Sequence, residues 1–124
     1  MHDDERGQST VELALLLPLI AAVLGALVEL GLLFADRARL MHAAREAARV
    51  AVVDADPGAV RAAAEATGLN GLEMSVTPAP SNRRQGDPLT VDLRYHPEGR
   101  IPLVGELFER LELQASATMR VEVP

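Results

Sequence analysis

Two acidic side chains stand where an apolar environment would give a carboxylate unusual chemistry. Glu12 directly precedes the apolar residues 13–35, and Glu29 is the one charged residue inside that run. A charged side chain held at the centre of a bilayer costs about 2.5–3.5 kcal/mol, and less near an interface. A chain that needed only a membrane anchor would gain nothing from Glu12. The two glutamates are therefore the first candidates for functional residues.

The rest of the sequence lacks the patterns of catalytic and metal sites. The absence of cysteine excludes disulfide scaffolds, thiolate zinc sites and cysteine nucleophiles. The histidines are scattered at positions 2, 42 and 96, and no HExxH, GxSxG or Walker A motif occurs. Eighteen acidic residues against 12 arginines give a net charge of -6, which argues against a nucleic-acid partner. We therefore expect a protein that is not an enzyme and that has no cofactor and no metal.

Hydropathy predicts the element that carries both glutamates. Residues 13–35 read LALLLPLIAAVLGALVELGLLFA, and as a helix these 23 residues would extend about 35 Å, enough to cross a bilayer core of about 30 Å. A cleaved secretory signal should have a basic head and a shorter apolar run. A helix buried in a soluble protein is disfavoured too, because the remaining 89 residues contain only two aromatic residues, Tyr95 and Phe108. We predict a leader at 1–7, a transmembrane helix at 8–35 and a domain at 36–124.

The junction before the span carries the most specific pattern, Arg-Gly-Gln-Ser-Thr-Val-Glu at residues 6–12. A capping box, with Ser9 as N-cap and Glu12 three residues later, would explain the glutamate alone. The whole string is a short charged leader that ends at Gly7, followed by a helix with glutamate at its fifth position. It resembles the processing site of type IV pilin-like precursors, and more closely the TadE-like minor pilins of Tad (Flp-type) pilus systems. Residues 43–51, AAREAARVA, are similar to the Ala/Arg-rich helix of that family, and residues 115–122 resemble it weakly.

The resemblance implies a processed membrane protein. Prepilin peptidase would cut between Gly7 and Gln8, and the carboxylate of Glu12 would meet the new N-terminal amine of a neighbouring subunit. Pro18 matches the family's proline in the span, either as a hinge or as a tolerated residue. The family's partners are the peptidase, other pilin subunits, Tad assembly-platform proteins and membrane lipid. This sequence departs from the family in its acidic leader and in Gln8, where an aromatic residue is usual.

Location and orientation follow from the same resemblance, against one contrary pattern. The resemblance implies a single-pass protein of the inner membrane with an extracytoplasmic C-terminus, extracellular once in a pilus. One arginine, Arg6, precedes the span, and four follow it: Arg37, Arg39, Arg45 and Arg49. By the positive-inside rule, this distribution would place the C-terminal side in the cytoplasm. Removal of residues 1–7 would change the net charge from -6 to -4, because three acids and one arginine leave.

Glu29 lies 17 residues beyond Glu12, or about 25 Å along a helix axis. If Glu12 marks the inner interface, the side chain of Glu29 approaches the outer one and extends towards water. A contact with a partner helix is the alternative, so Glu29 joins Glu12 and Pro18 as a predicted subunit-assembly residue. Gly25 and Gly31 would allow close helix packing.

The C-terminal part is expected to be a small pilin-like α+β domain. The first helix should continue over 36–53 with one apolar face, formed by Met41, Ala44, Ala48, Ala51 and Val52. Arg45 and Arg49 would form a solvated face. Asp56-Pro57 is typical of a helix N-cap and first position, and this second helix should run to Gly68.

Alternation of apolar residues then predicts a three-stranded antiparallel sheet, with strands at 72–77, 89–95 and 111–123. The loop 78–88 would carry a solvated Arg83-Arg84 pair, and 101–110 would form a helical turn. So small a domain should be only marginally stable outside an assembly.

Two functions remain open from the sequence. The first is a minor pilin that is cleaved after Gly7 and enters or primes a pilus. The second is an uncleaved single-pass membrane protein whose extracytoplasmic domain binds a partner in a secretion or envelope complex. The first accounts for Gly7 and Glu12 together, whereas the second leaves their spacing unexplained.

Overall fold

One helix, α1, extends over His2–Ala51 in the computed structural model of the chain, which describes residues 2–122. Its 50 residues span about 75 Å. Pro18 lies inside α1 and removes one backbone donor, yet the helix continues past it. The predicted limit between membrane segment and domain, at residues 35 and 36, therefore falls within a single continuous helix.

The second helix, α2, extends over Pro57–Glu65, with Pro57 at its start as predicted. Asp56 is the N-cap, and its carboxylate accepts hydrogen bonds from the N–H groups of Gly58 at 3.2 Å and Ala59 at 3.3 Å. These bonds satisfy two of the donors that the first turn of a helix leaves unpaired. The helix ends earlier than predicted, and Thr67 and Gly68 form turns that bond back to Ala64 and Glu65.

Replacement of the cap tests how much α2 depends on it. We expect Asp56→Ala to lower the free energy of unfolding by about 1 kcal/mol, because both bonds to the first turn are lost. Thermal unfolding of the full chain in detergent, followed by circular dichroism, measures the change. Asp54→Ala is a control, since Asp54 accepts from the N–H of Asp56 and no N–H of α2 bonds to it. Equal stability of parent and Asp56→Ala would contradict the cap's contribution.

The sheet has three antiparallel strands in the order β1-β2-β3, which confirms the predicted α+β fold. The strands are β1 at Glu73–Thr77, β2 at Pro88–Tyr95 and β3 at Leu113–Arg120. Val91 of the central strand pairs with Val76 on one side and Ala117 on the other. Short 3-10 turns occupy Pro80–Asn82 and Gly105–Leu107 in the two connections. The last strand is shorter than predicted, because Glu122 turns its N–H towards the carbonyl of Val52 at 3.0 Å.

The core lies between the sheet, α2 and the C-terminal part of α1. Small side chains on one face of α1 let the sheet approach the helix closely: Ala43, Ala44, Ala47, Ala48 and Ala51. From the other side come Leu89, Val91 and Leu93, all nearly inaccessible to solvent. The face predicted from sequence was partly wrong, since Met41 is exposed and Leu40 occupies the core instead. The buried positions 40, 43, 44, 47, 48 and 51 follow the helical repeat more closely.

Arg83 corrects a second prediction, because its side chain is buried rather than solvated. Its Nη1 donates to the carbonyl of Ala51 at 3.1 Å and its Nε donates to the carbonyl of Pro78 at 3.2 Å. A cation beside the last carbonyls of a helix is favoured by the helix dipole. Arg83 therefore ties the loop after β1 to the end of α1, whereas Arg84 is exposed as predicted.

Candidate functional site

The predicted processing junction lies on the exposed surface of α1. Gly7, Gln8 and Glu12 are all exposed, and Nε2 of Gln8 donates to Oε1 of Glu12 at 3.4 Å, one helical turn away. The capping-box interpretation is wrong, because α1 begins at His2 and Ser9 lies inside the helix rather than at its N-cap. Glu12 is thus not explained by helix capping, and its side chain is exposed.

The apolar part of α1 that follows is a helix without protein cover. Every residue from 11 to 24 is exposed, and the most apolar window of the helix has none of its residues buried. A core helix of a soluble protein would be mostly buried, so this alternative is excluded. The helix is long and apolar enough to cross a membrane. Pro18 is exposed within this surface.

Glu29 is buried against its own chain, with only 4% of its surface exposed. Its Oε1 accepts hydrogen bonds from the backbone N–H of Arg100, at 2.6 Å, and from that of Ile101. The interpretation that Glu29 extends towards water is therefore wrong, because a loop from the domain covers it. Its role in subunit assembly stays a prediction, since these contacts are all within one chain.

Asp36 continues this site two helical turns further along α1 and is 1% exposed. Both of its carboxylate oxygens accept from Nη2 of Arg100, at 3.0 and 2.8 Å. Arg39 lies 3.7 Å from the same carboxylate. The hydrogen bond with Asp36 raises the pKa of Arg100 above its ordinary value, so the guanidinium stays charged. One residue, Arg100, thus binds Glu29 through its backbone and Asp36 through its side chain.

The loop that carries Arg100 is held in a tight fold of its own. Gly99 and Gly105 meet backbone to backbone, and a Cβ added to Gly99 would lie 2.5 Å from the carbonyl of Gly105. A Cβ on Gly105 would lie 2.9 Å from Oε1 of Glu29. Gly25 of α1 is in contact with the same loop, since its Cβ would lie 3.3 Å from Ile101 and from Val104. Gly25 thus allows packing against the chain's own loop, whereas Gly31 has open space around it.

We call this group of Glu29, Asp36 and the loop 98–108 the carboxylate clamp. Sequence reasoning predicted Glu29 but missed Asp36 and Arg100. A spacing of seven residues places Glu29 and Asp36 on the same face of a helix, which is a signal that the two acids share a partner. Residues 7–122 contain no group of three or more histidine, aspartate or glutamate side chains placed to hold a metal ion.

Comparison with known protein families matches the N-terminal part of the chain. Residues 7–49 match the family model described as TadE-like protein, which confirms the resemblance seen in the sequence. The match covers 43 of the 124 residues and includes the apolar run 13–35, residues 7–12 of the junction and residues 43–49 of the Ala/Arg-rich segment. No curated protein and no solved structure matches the chain. Residues 7–49 are therefore similar to TadE-like protein, and they lie on a helix that is long and apolar enough to cross a membrane.

Proposed function

We propose that this chain is a minor pilin-like structural or assembly component of a Tad pilus, cut by prepilin peptidase between Gly7 and Gln8. One observation carries the proposal. A glycine is followed, five residues later, by an exposed glutamate on a helix whose next dozen side chains are all exposed and mostly apolar. The family match begins at the same glycine.

The local structure around Gly7 suits a peptidase site. Gly7 lies on the exposed surface of α1, and a Cβ there would have nothing within 4 Å. Glycine lowers the stability of a helix by about 1 kcal/mol relative to alanine, which favours local unwinding to the extended backbone that a peptidase binds. Cleavage at Gly7 therefore requires no rearrangement of the domain.

The mature chain would begin with an amine one helical turn before Glu12. In an assembly, the amine of one subunit and the Glu12 carboxylate of the next neutralise each other in the apolar bundle. The exposed helix then packs against other pilin subunits and assembly-platform proteins, where Pro18 allows a bend. We place the domain on the extracytoplasmic side of the inner membrane, and in the pilus once assembly has taken place.

The test is the mass of the membrane-purified protein from cells that also express a prepilin peptidase. We expect an N-terminus at Gln8 in the parent chain and an uncut precursor in Gly7→Leu. The substitution is a matched control because the structure has room for a side chain at this position. An intact parent N-terminus, while a second pilin in the same cells is cut, would contradict the proposal and favour the uncleaved single-pass protein.

A further inference from the structure

The loop 98–108 lies beside a part of α1 that belongs to the apolar run. Ile101 and Val104 contact the helix at Gly25, and the backbone of Arg100 bonds to Glu29. Gly25 precedes Asp36 by 11 residues, or about 16 Å along the axis. The domain therefore does not begin beyond the apolar run but reaches back along it.

The length of helix that precedes the loop contact indicates how deep the loop lies in a membrane. Residues 13–24 precede the contact at Gly25, and these 12 residues extend only about 18 Å. A bilayer core of about 30 Å needs about 20 residues of helix, so the span must continue to about residue 32. Residues 25–32 carry the loop on one face. The loop consequently lies level with the leaflet on the side of the C-terminal domain.

The backbone of the loop is suited to such a place. Irregular backbone at membrane depth is tolerated only where its polar groups are satisfied by protein. Glu29 accepts the N–H groups of Arg100 and Ile101, and position 102 is a proline with no N–H. Most N–H groups between 104 and 109 bond to carbonyls of the same loop, namely those of Val104, Gly105, Leu107, Phe108 and Glu109.

The tip of the loop presents two leucines outwards. Leu103 is 83% exposed and Leu107 is 76% exposed, next to a helix whose own surface is apolar. Leu103 also has a backbone φ of 66°, a conformation that residues other than glycine rarely adopt. An exposed leucine is unfavourable in water, and its positive φ strains the backbone. Such strain is typical of residues with a functional role, so we infer that the Leu103 side chain has one. Continuity with the apolar surface of α1 identifies lipid as the occupant.

We propose that the loop 98–108 is a membrane-interface element, with Leu103 and Leu107 inserted into the lipid leaflet on the side of the domain. The loop also shields Glu29, since it supplies hydrogen bonds to a carboxylate that would otherwise face hydrocarbon. The exposed acids Glu98, Glu106 and Glu109 keep the loop near the headgroups, at the depth typical of interfacial segments. The proposal depends on the membrane span alone and not on cleavage or pilus assembly.

Tryptophan fluorescence tests this placement, because the chain contains no tryptophan. The full chain is reconstituted at low density into phosphatidylcholine vesicles whose acyl chains are brominated, with single tryptophans at Leu103→Trp and Leu107→Trp. Leu24→Trp, in the uncovered helix, is the reference for full lipid contact. Asn82→Trp, in the exposed turn before β2, is the control for a position in water.

We expect emission of Leu103→Trp and Leu107→Trp to shift to the blue and to be quenched by bromine at least half as strongly as Leu24→Trp. Asn82→Trp should keep a water-like emission without quenching. Emission like that of Asn82→Trp at both loop positions would overturn the proposal. Blue-shifted emission without bromine quenching would overturn it as well, because it would place the leucines against protein, such as a second copy. Both leucines are exposed, so thermal unfolding of the variants should match the parent.

Discussion

Replacement of Arg100 by alanine is expected to lower the free energy of unfolding of the domain by about 2–3 kcal/mol. The change leaves the carboxylate of Asp36, which is 1% exposed, without the Nη2 group that donates to both of its oxygens. Loss of one member of a fully buried ion pair costs about 3–5 kcal/mol. The expected loss is smaller here because 37% of the Arg100 side chain is exposed and Arg39 lies near enough to compensate in part. Thermal unfolding in detergent should show a midpoint lower by roughly 10 °C or more for a domain of this size.

Two further variants separate the ion pair from general effects of arginine loss. Arg94→Ala removes a 57% exposed side chain that lies 4.0 Å from Glu112, and it should leave the midpoint nearly unchanged. Combination of Arg100→Ala with Asp36→Asn should recover part of the lost stability, because the unpaired charge is gone. An equal midpoint for parent and Arg100→Ala would show that the clamp does not hold the domain on α1.

Much of this architecture is predictable because local chemistry determines it. The apolar run before the domain, the N-cap Asp56 ahead of Pro57, and the alternation in β1 and β2 each determine a local element, and the structure confirms them. The family match likewise rests on a contiguous segment, residues 7–49. Each of these features depends on residues within a few positions of one another, which is the range over which propensity and periodicity act.

The carboxylate clamp could not be predicted in the same way. Glu29 and Arg100 are 71 positions apart, and the loop between β2 and β3 has no helical or strand repeat that would place it. Its shape depends instead on the close approach of Gly99 and Gly105, and on Gly25 of α1, against which Ile101 and Val104 pack. Arg83 was misassigned for the same reason, since its acceptor on Ala51 lies 32 positions away. A charged residue in a loop is usually solvated, and only tertiary contact reveals the exception.

The thin domain predicted from composition is thus held together by more than its apolar core. Alanines on α1 pack under Leu89, Val91 and Leu93, and few large side chains contribute. Buried polar groups at both ends of the contact between α1 and the domain add to this packing. Arg83 lies at the C-terminal end of α1, and the carboxylate clamp lies nearer its N-terminal end. Glu29, an anomaly when the helix is considered alone, becomes the residue that fixes the domain to its span.

Glu12, unlike Glu29, is left exposed by the folded chain, and its replacement is the second large effect we expect. Glu12→Gln should be processed and inserted like the parent, yet its recovery in sheared pili should fall at least about tenfold, which corresponds to 1.4 kcal/mol of lost association energy. The neutral amide keeps the shape of the side chain and its reach to Gln8, but it cannot neutralise the amine of a neighbouring subunit. Immunoblots of sheared and membrane fractions measure the ratio.

The matched variant for this measurement is Gln8→Asn, which shortens the side chain that donates to Glu12 and leaves the carboxylate and the mature amine in place. It should assemble like the parent if the carboxylate is the group that matters. Glu29→Gln is expected to act differently, since its amide can still accept from Arg100 and its effect should fall on domain stability rather than on pilus content. Full incorporation of Glu12→Gln would contradict the pairing of Glu12 with an amine. The uncovered helix would then have to associate through its apolar surface alone, and the position of Glu12, at the mouth of the span and away from the domain, would be left without a cause.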